Sequence, residues 1–324
     1  MAPEAVPGAP APLISIPEAP APEGGGAEWF AGFGGARLRA ALFPCRGVAR
    51  GSVVLSPGRT EPIEKYFEVV RELTGRGLVV LAHDWRGQGL SERMLPDRLA
   101  GHAQGFEAYL GDYTALLDAF AARLPRPWIG FAHSMGGCLQ LLALVKGERR
   151  LEAALLSAPM LAVQTGPWPL WFTRGVVAGA GLLGRGGAYA LPVYDPLADT
   201  FATDRLTHDR GRYELYKAQL RACPDLAIGA ITWGWLGFAL KAAATIAAPG
   251  ALEPIGIPVA MVAAGEDRLV LNGAARVAAR RLPHGTYREI AGAYHELLME
   301  TDEVRAEVWS AFDALVQPII SPPA

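Results

Sequence analysis

A serine in the stretch GFAHSMGG, residues 130–137, has the surroundings of a catalytic nucleophile. The apolar run before Ser134 predicts a strand, and the glycines after it predict a sharp turn into a helix, with the hydroxyl exposed at the apex. The pattern is nearly G-x-S-x-G, with Ala132 where its first glycine would stand. Because a serine hydroxyl is a poor nucleophile, it needs a base in hydrogen-bond reach and a third group that orients the base.

Two residues downstream have the chemistry of these partners. His295, in IAGAYHELLME, follows the last predicted strand and is the expected base. Asp267, in VAMVAAGEDRLV, follows another predicted strand and is the expected acid. Two alternatives stay open: His133 is adjacent to Ser134, although its side chain must point away from the nucleophile, and Glu266 is a rival to Asp267.

The negative charge that develops on an attacked carbonyl oxygen needs main-chain N–H donors. The N–H of Met135 follows the nucleophile at the start of a predicted helix, where the helix dipole favours negative charge. Arg59 follows the apolar strand predicted at 52–55, and its N–H is the second candidate donor. The Arg59 side chain has two alternative roles, as a partner of Glu61 or as a contact for a substrate phosphate.

The elements that must position these residues alternate between strands and helices from residue 30 onward. The predicted strands are 37–43, 52–55, 78–83, 128–132, 153–157, 259–264 and 287–290. The predicted helices are 61–73, 106–124, 136–145, 272–282 and 303–316. Most of the strands are continuous apolar runs, so we expect an α/β fold with a mostly parallel, doubly wound sheet covered on both faces. The chain order serine, aspartate, histidine is that of the α/β-hydrolase arrangement.

Residues 160–250 interrupt this alternation: their sequence predicts helical and irregular segments and is rich in aromatic residues, glycine and proline. We interpret them as a helical lid inserted into a core of residues 28–159 and 251–324; the alternative is ordinary core helix. Residues 1–27, rich in proline and alanine, are predicted to be a disordered tail. Five aromatic residues of the lid are candidates to line an acyl tunnel or to rest on a membrane interface: Trp168, Trp171, Phe172, Trp233 and Trp235.

Bulk composition excludes several classes of protein. The 324 residues carry a formal net charge of −2, which gives no electrostatic case for nucleic acid binding. Three widely spaced cysteines argue against a disulfide scaffold and a zinc site. The N-terminus lacks the features of a signal peptide, and no apolar stretch reaches the roughly 18 residues of a membrane span, so we expect a soluble, cytoplasmic protein that is at most peripheral to a membrane.

Five segments in order resemble the lysophospholipase and monoacylglycerol lipase group of α/β-hydrolases. They are SPGRTEPIEKYFEVVRELTGRGLVVLAHDWRGQGLSER, AHSMGG, LSAPML, AGEDRLV and GAYHELLME. The resemblance runs from about residue 28 to the C-terminus and is weakest in the lid. Two departures from the group are Ala132 and Pro57, which stands where many relatives have histidine.

The resemblance implies Ser134 as nucleophile, Asp267 as acid and His295 as base, with Arg59 and Met135 as oxyanion donors. It further implies hydrolysis of an acyl ester of a glycerol-based lipid, with no metal or organic cofactor. The alternatives are a carboxylesterase, another serine hydrolase or acyltransferase of the same fold that acts on a small non-lipid ester, and a catalytically silent binding protein.

Overall fold

The computed structural model describes residues 8–166 and 168–320, and the strands in this part of the chain form one sheet. They are β1 (Pro10–Ala11), β2 (Gly26–Ala31), β3 (Arg37–Phe43), β4 (Gly51–Ser56), β5 (Leu78–His83), β6 (Trp128–His133), β7 (Ala153–Ser157), β8 (Val259–Ala264) and β9 (Gly285–Ile290). The spatial order is β1-β2-β3-β5-β4-β6-β7-β8-β9. The pairs from β5 through β9 are parallel, and the pairs that join β1, β2, β3 and β5 are antiparallel.

Helices cover both faces of this sheet. They are α1 (Phe67–Gly75), α2 (Glu107–Phe120), α3 (Met135–Val145), α4 (Leu170–Leu182), α5 (Arg210–Ala222), α6 (Trp233–Ala247), α7 (Asn272–Arg281) and α8 (Asp302–Val316). Side chains of β5 alternate between two cores: Val79 and Leu81 pack with α2, α3, α6 and α7, whereas Val80 and Ala82 pack with α1 and α8. This period of two explains why the strand is apolar along its whole length, and the predicted mostly parallel, doubly covered sheet is confirmed.

The N-terminal segment differs from the predicted disordered tail. Residues 1–7 lie outside the described residues, but residues 8–27 lie against the sheet. Pro10–Ala11 pairs with β2, the carbonyl of Pro12 accepts a hydrogen bond from Arg39 at 2.8 Å, and the N–H of Ile14 donates to Glu64 at 3.0 Å. The segment has too little apolar surface for a core of its own, so its order comes from contacts with the existing sheet edge.

The chain between β7 and β8 forms α4, α5 and α6 and, in the described residues, no regular strand. These helices differ in burial. The helix α6 buries Trp235, Phe238 and Ala242 in the same core as α2 and α3, whereas α4 has no buried residue. The helix α6 is therefore packed into the core, and α4 lies on the surface. In the described part of the chain no helix is both long and apolar enough to cross a membrane.

Candidate active site

Ser134 lies at the tight turn between β6 and α3. Its backbone has φ 49° and ψ −113°, a region that residues other than glycine rarely adopt. The turn depends on Gly136, because a Cβ atom there would lie 2.3 Å from the carbonyl oxygen of Ser56. Gly137 is also closely packed, since its Cβ would lie 3.0 Å from that of Pro159. The glycines after the serine are therefore a steric requirement of the turn.

Ala132 fits its place without disturbing this turn. It lies inside β6, paired with Ser56 on one side and Leu156 on the other, and it is buried in the core formed with α2 and α3. The methyl group packs among apolar side chains there. Ala132 therefore departs from G-x-S-x-G because its side chain is part of the core.

Three side chains from distant parts of the sequence form a continuous hydrogen-bonded chain. The Oγ of Ser134 lies 2.9 Å from Nε2 of His295, and Nδ1 of His295 lies 2.6 Å from Oδ2 of Asp267. The other carboxylate oxygen of Asp267 accepts main-chain N–H bonds from Leu269 at 2.8 Å and Val270 at 3.0 Å. Because these amides fix the carboxylate and the carboxylate fixes the imidazole, the free nitrogen of the ring faces the serine hydroxyl.

The charge state of Asp267 follows from the same contacts. Burial raises the pKa of the carboxyl, but the hydrogen bond and charge of His295, with the two main-chain amides, outweigh burial and leave the pKa below its usual value. Asp267 is therefore an anion at neutral pH, beside an imidazole that is itself only 3% exposed.

Neither of the two alternatives, His133 and Glu266, belongs to this hydrogen-bonded chain. The Nδ1 of His133 lies 3.3 Å from Oγ of Ser157. The His133 ring is tilted by 55° against the ring of His295, with 4.9 Å between centroids. Burial, only partly offset by the charge of Glu61, lowers the pKa of His133 to about 4, so this imidazole is neutral. Glu266 is exposed to solvent, and Asp267 is the carboxylate that reaches His295.

The loop after β4 is held in an unusual conformation. Glu61 accepts the N–H of Gly58 at 2.6 Å, and Gln88 accepts the N–H of Thr60 at 2.9 Å while donating to the carbonyl of Gly58 at 3.0 Å. Thr60 has φ 67°, which is unfavourable for a β-branched residue. These bonds leave the N–H of Arg59 without an acceptor among residues 8–166 and 168–320.

The N–H of Met135 is the first of α3 and has no partner inside the helix. The side chain of Arg59 turns away from Glu61 and donates to the carbonyl of Gly229 at 2.8 Å. Its guanidinium lies 5.6 Å from the ring centroid of Trp235. The structure thus leaves the N–H groups of Met135 and Arg59 without acceptors in the described part of the chain, and the Arg59 side chain joins this loop to the segment before α6.

A buried ionic cluster behind this loop was not predicted from the sequence. Lys65 Nζ bridges Glu61 at 2.9 Å and Glu296 at 2.6 Å, and the hydroxyl of Tyr66 donates to Glu61 at 2.5 Å. Burial raises the pKa of Glu61, but the charge of Lys65 and the hydrogen bonds from Tyr66 and Lys65 outweigh it and lower the pKa to about 2. The four-residue spacing of Glu61 and Lys65 was the available signal, but nothing in the sequence links them to Glu296.

A cavity of 260 Å³ opens at Ser134 and His295. Its polar lining includes Thr60, Glu61 and Glu296. Its apolar lining is formed by Met160, Val163, Leu191, Ile231, Trp235, Leu236, Leu269 and Val270. The cavity at the serine therefore offers contacts to both apolar and polar groups.

Of the five aromatic residues proposed to contact substrate, the structure brings Trp235 to this cavity. Trp168, Trp171 and Phe172 lie exposed at the start of α4, and Trp233 begins α6 without lining the cavity. Among the described residues, no group of three or more His, Cys, Asp or Glu side chains is arranged to hold a metal ion.

The parallel sheet, the helices on both faces and the serine turn after the central strand define the α/β-hydrolase fold. The sequence model of the serine aminopeptidase S33 family matches residues 47–302. The chain belongs to this family of hydrolases. Within the family it falls in the lysophospholipase and monoacylglycerol lipase-like group.

Named relatives agree with this assignment, and a solved structure shares the fold. The chain is 32% identical over 265 residues to lysophospholipase L2 of Escherichia coli (strain K12), which covers 78% of this chain and 76% of that protein. It is 26% identical to the monoacylglycerol lipase of Mycolicibacterium smegmatis, covering 85% of this chain and 91% of that one. A soluble variant of monoglyceride lipase from Saccharomyces cerevisiae, solved with a substrate analog, shares the fold with a TM-score of 0.72 at 18% identity, covering 96% of this chain and 100% of that one.

Proposed function

We propose that this protein is a serine hydrolase that cleaves acyl esters of glycerol-based lipids, a lysophospholipid or a monoacylglycerol, through an acyl-enzyme on Ser134. The observation that carries the proposal is the hydrogen-bonded chain from Ser134 through His295 to Asp267 beside a cavity whose lining is largely apolar. The names of the curated relatives support the lipid class of the substrate.

The reaction has two stages. Nε2 of His295 takes the hydroxyl proton as Oγ of Ser134 bonds to the ester carbonyl carbon, and the N–H groups of Met135 and Arg59 receive the negative carbonyl oxygen. The tetrahedral species collapses when the imidazolium gives its proton to the departing alcohol. Water then repeats these steps on the acyl-enzyme and releases the fatty acid. Throughout, Asp267 holds the proton on Nδ1 and stabilises the imidazolium.

The lining of the cavity suits both parts of such a substrate. The side chains of Val163, Leu236 and Leu269 suit an acyl chain, because burial of each methylene stabilises the complex by about 0.8 kcal/mol. The side chains of Thr60 and Glu296 suit the hydroxyl-bearing alcohol that leaves.

We further propose that residues 160–250 act as a lid over this site and that α4 contacts a membrane surface. Trp171 on this helix is 74% exposed, and its neighbours Trp168 and Phe172 are exposed beside it. Aromatic side chains are favoured at the boundary between lipid and water. We expect Trp171→Ser to weaken sedimentation of the protein with lipid vesicles, while Val48→Ser, at an exposed site between β3 and β4, leaves it unchanged. Equal loss in both variants, or in neither, would contradict a specific role of α4.

A substrate panel tests the proposed activity. Free fatty acid is measured from a lysophosphatidylethanolamine, a monooleoylglycerol and a series of nitrophenyl esters of increasing chain length, with Ser134→Ala as the blank. We expect release from at least one of the two lipids and loss of that release in the variant. Activity confined to acetyl and butyryl esters would favour a carboxylesterase instead, and the lipid claim would then be wrong.

A further inference from the structure

A second cavity, of 340 Å³, adjoins the first one. The two cavities share the lining residues Thr60, Tyr194, Leu206 and Glu296, so they adjoin one another at these residues. His295, which would protonate the departing alcohol under the proposed mechanism, is adjacent in sequence to the shared residue Glu296. The second cavity therefore adjoins the cavity at the serine, and its volume is in the range of sites for small molecules.

This cavity carries both signs of charge. Lys217 and Arg205 provide positive charge, and Asp199 and Asp204 provide negative charge beside the shared Glu296. A glycerol leaving group alone would not need any of these charges. A site with both signs complements a zwitterion better than it complements a simple anion or a neutral alcohol.

Two buried polar groups in this cavity have unused hydrogen-bonding capacity. Lys217 is 6% exposed, and its Nζ donates to the carbonyl of Pro196 at 2.6 Å and lies 3.8 Å from Asp199. An ammonium group has three donors, so a short bond to one carbonyl leaves it able to bind a further acceptor.

The second group is the hydroxyl of Tyr213. This residue is 7% exposed, and its Oη has no hydrogen-bond partner among the described residues. Buried hydroxyls are normally hydrogen-bonded, because a buried polar group without a partner costs free energy. Tyr213 lies one helical turn before Lys217 on α5, and Lys217 Nζ is 5.2 Å from its ring centroid. Both residues line the second cavity.

We propose that this second cavity is the headgroup site for a lysophospholipid whose phosphodiester is followed by an ammonium group. The phosphodiester oxygens bind Lys217 Nζ and Tyr213 Oη, and the ammonium group lies against the carboxylate of Asp199. This inference rests on the proposed function and deepens it. It makes the protein selective for zwitterionic lysophospholipids over monoacylglycerols, which would leave the second cavity empty.

The test compares steady-state hydrolysis of lysophosphatidylethanolamine, lysophosphatidylglycerol and monooleoylglycerol, all with the same acyl chain. We expect Lys217→Met to raise KM for both lysophospholipids about tenfold or more, with little change in kcat and in the kinetics of monooleoylglycerol. Tyr213→Phe, which removes one hydroxyl from an intact ring, acts in the same direction with a smaller effect. We expect Asp199→Asn to lower the preference for lysophosphatidylethanolamine over lysophosphatidylglycerol.

The matched control is Lys241→Met, which removes a lysine of α6 from an exposed ion pair with Glu107 of α2. We expect no change in selectivity in this variant. If Lys217→Met and Tyr213→Phe reduce hydrolysis of all three lipids equally, or leave all three unchanged, the headgroup site is wrong while the proposed activity stands. If the unmodified protein hydrolyses none of them, the proposed function fails and the headgroup site fails with it.

Discussion

Replacing Asp267 with asparagine tests the role of the aspartate with little change in shape. The asparagine oxygen keeps acceptor capacity for the amides of Leu269 and Val270, so its NH2 group faces Nδ1 of His295. A donor at that place moves the imidazole proton to Nε2, where it blocks acceptance of the serine proton. We therefore expect the folded variant to have His295 in the wrong tautomer.

The size of the effect follows from the buried geometry. The Asp267 carboxylate is almost fully buried and 2.6 Å from Nδ1, so its charge lies about 4 Å from the centre of the imidazolium that forms in the reaction. At that separation and an effective dielectric constant of about 20, the attraction is about 4 kcal/mol, or about three orders of magnitude in rate. The tautomer change adds to this loss, so we expect kcat/KM to fall by about 10³- to 10⁴-fold.

The assay is initial-rate hydrolysis of a nitrophenyl ester and of a lysophospholipid, with thermal unfolding measured on the same preparations. Glu266→Gln, which changes the neighbouring exposed carboxylate in the same way, is the control and should keep nearly full activity. A loss below tenfold in folded Asp267→Asn, or an equal loss in Glu266→Gln, would refute the assigned role.

Three further changes test the packing and the charges. Gly136→Ala places a methyl group 2.3 Å from a main-chain oxygen, so we expect about 1–3 kcal/mol less unfolding free energy in urea titrations and a loss of ester hydrolysis. Arg39→Met leaves two buried carboxylates without their cation, so we expect the unfolding free energy to fall by about 3–5 kcal/mol in the same titration. Arg46→Met, which removes an exposed ion pair, should leave the unfolding free energy unchanged. Burial lowers the pKa of His83 to about 3 and of His133 to about 4, so the unfolded chain binds more protons below about pH 6.5. Unfolding free energy should therefore fall by about 1.4 kcal/mol per pH unit for each histidine from about pH 6 to pH 4, and His133→Gln should reduce that slope.

The central strands could be predicted from the sequence because burial on both faces makes them continuous apolar runs. The predicted bounds 78–83 and 259–264 match β5 and β8. The first two strands could not be predicted, because Pro10–Ala11 and Gly26–Ala31 are short or poor in β-branched residues and gain their order by pairing with a sheet edge.

The candidate site divides in a similar way. The chain order of Ser134, Asp267 and His295 and the turn glycines are local signals, and the structure brings those three side chains together. The second cavity and the bridge from Lys65 to Glu296 join segments more than a hundred residues apart, so their residue types show no pattern along the chain. The sequence also does not show which aromatic side chains are exposed. Trp235 lines the cavity, whereas the aromatic residues at the start of α4 do not.

The most direct test of the account is labelling with a fluorophosphonate, followed by proteolysis and mass spectrometry of the modified peptide. We expect one label per chain, on the peptide that contains Ser134, and prior incubation with a lysophospholipid should slow the labelling. Ser134→Ala should not be labelled. A label on another residue, or unchanged labelling of Ser134→Ala, would contradict the claim that Ser134 is the nucleophile.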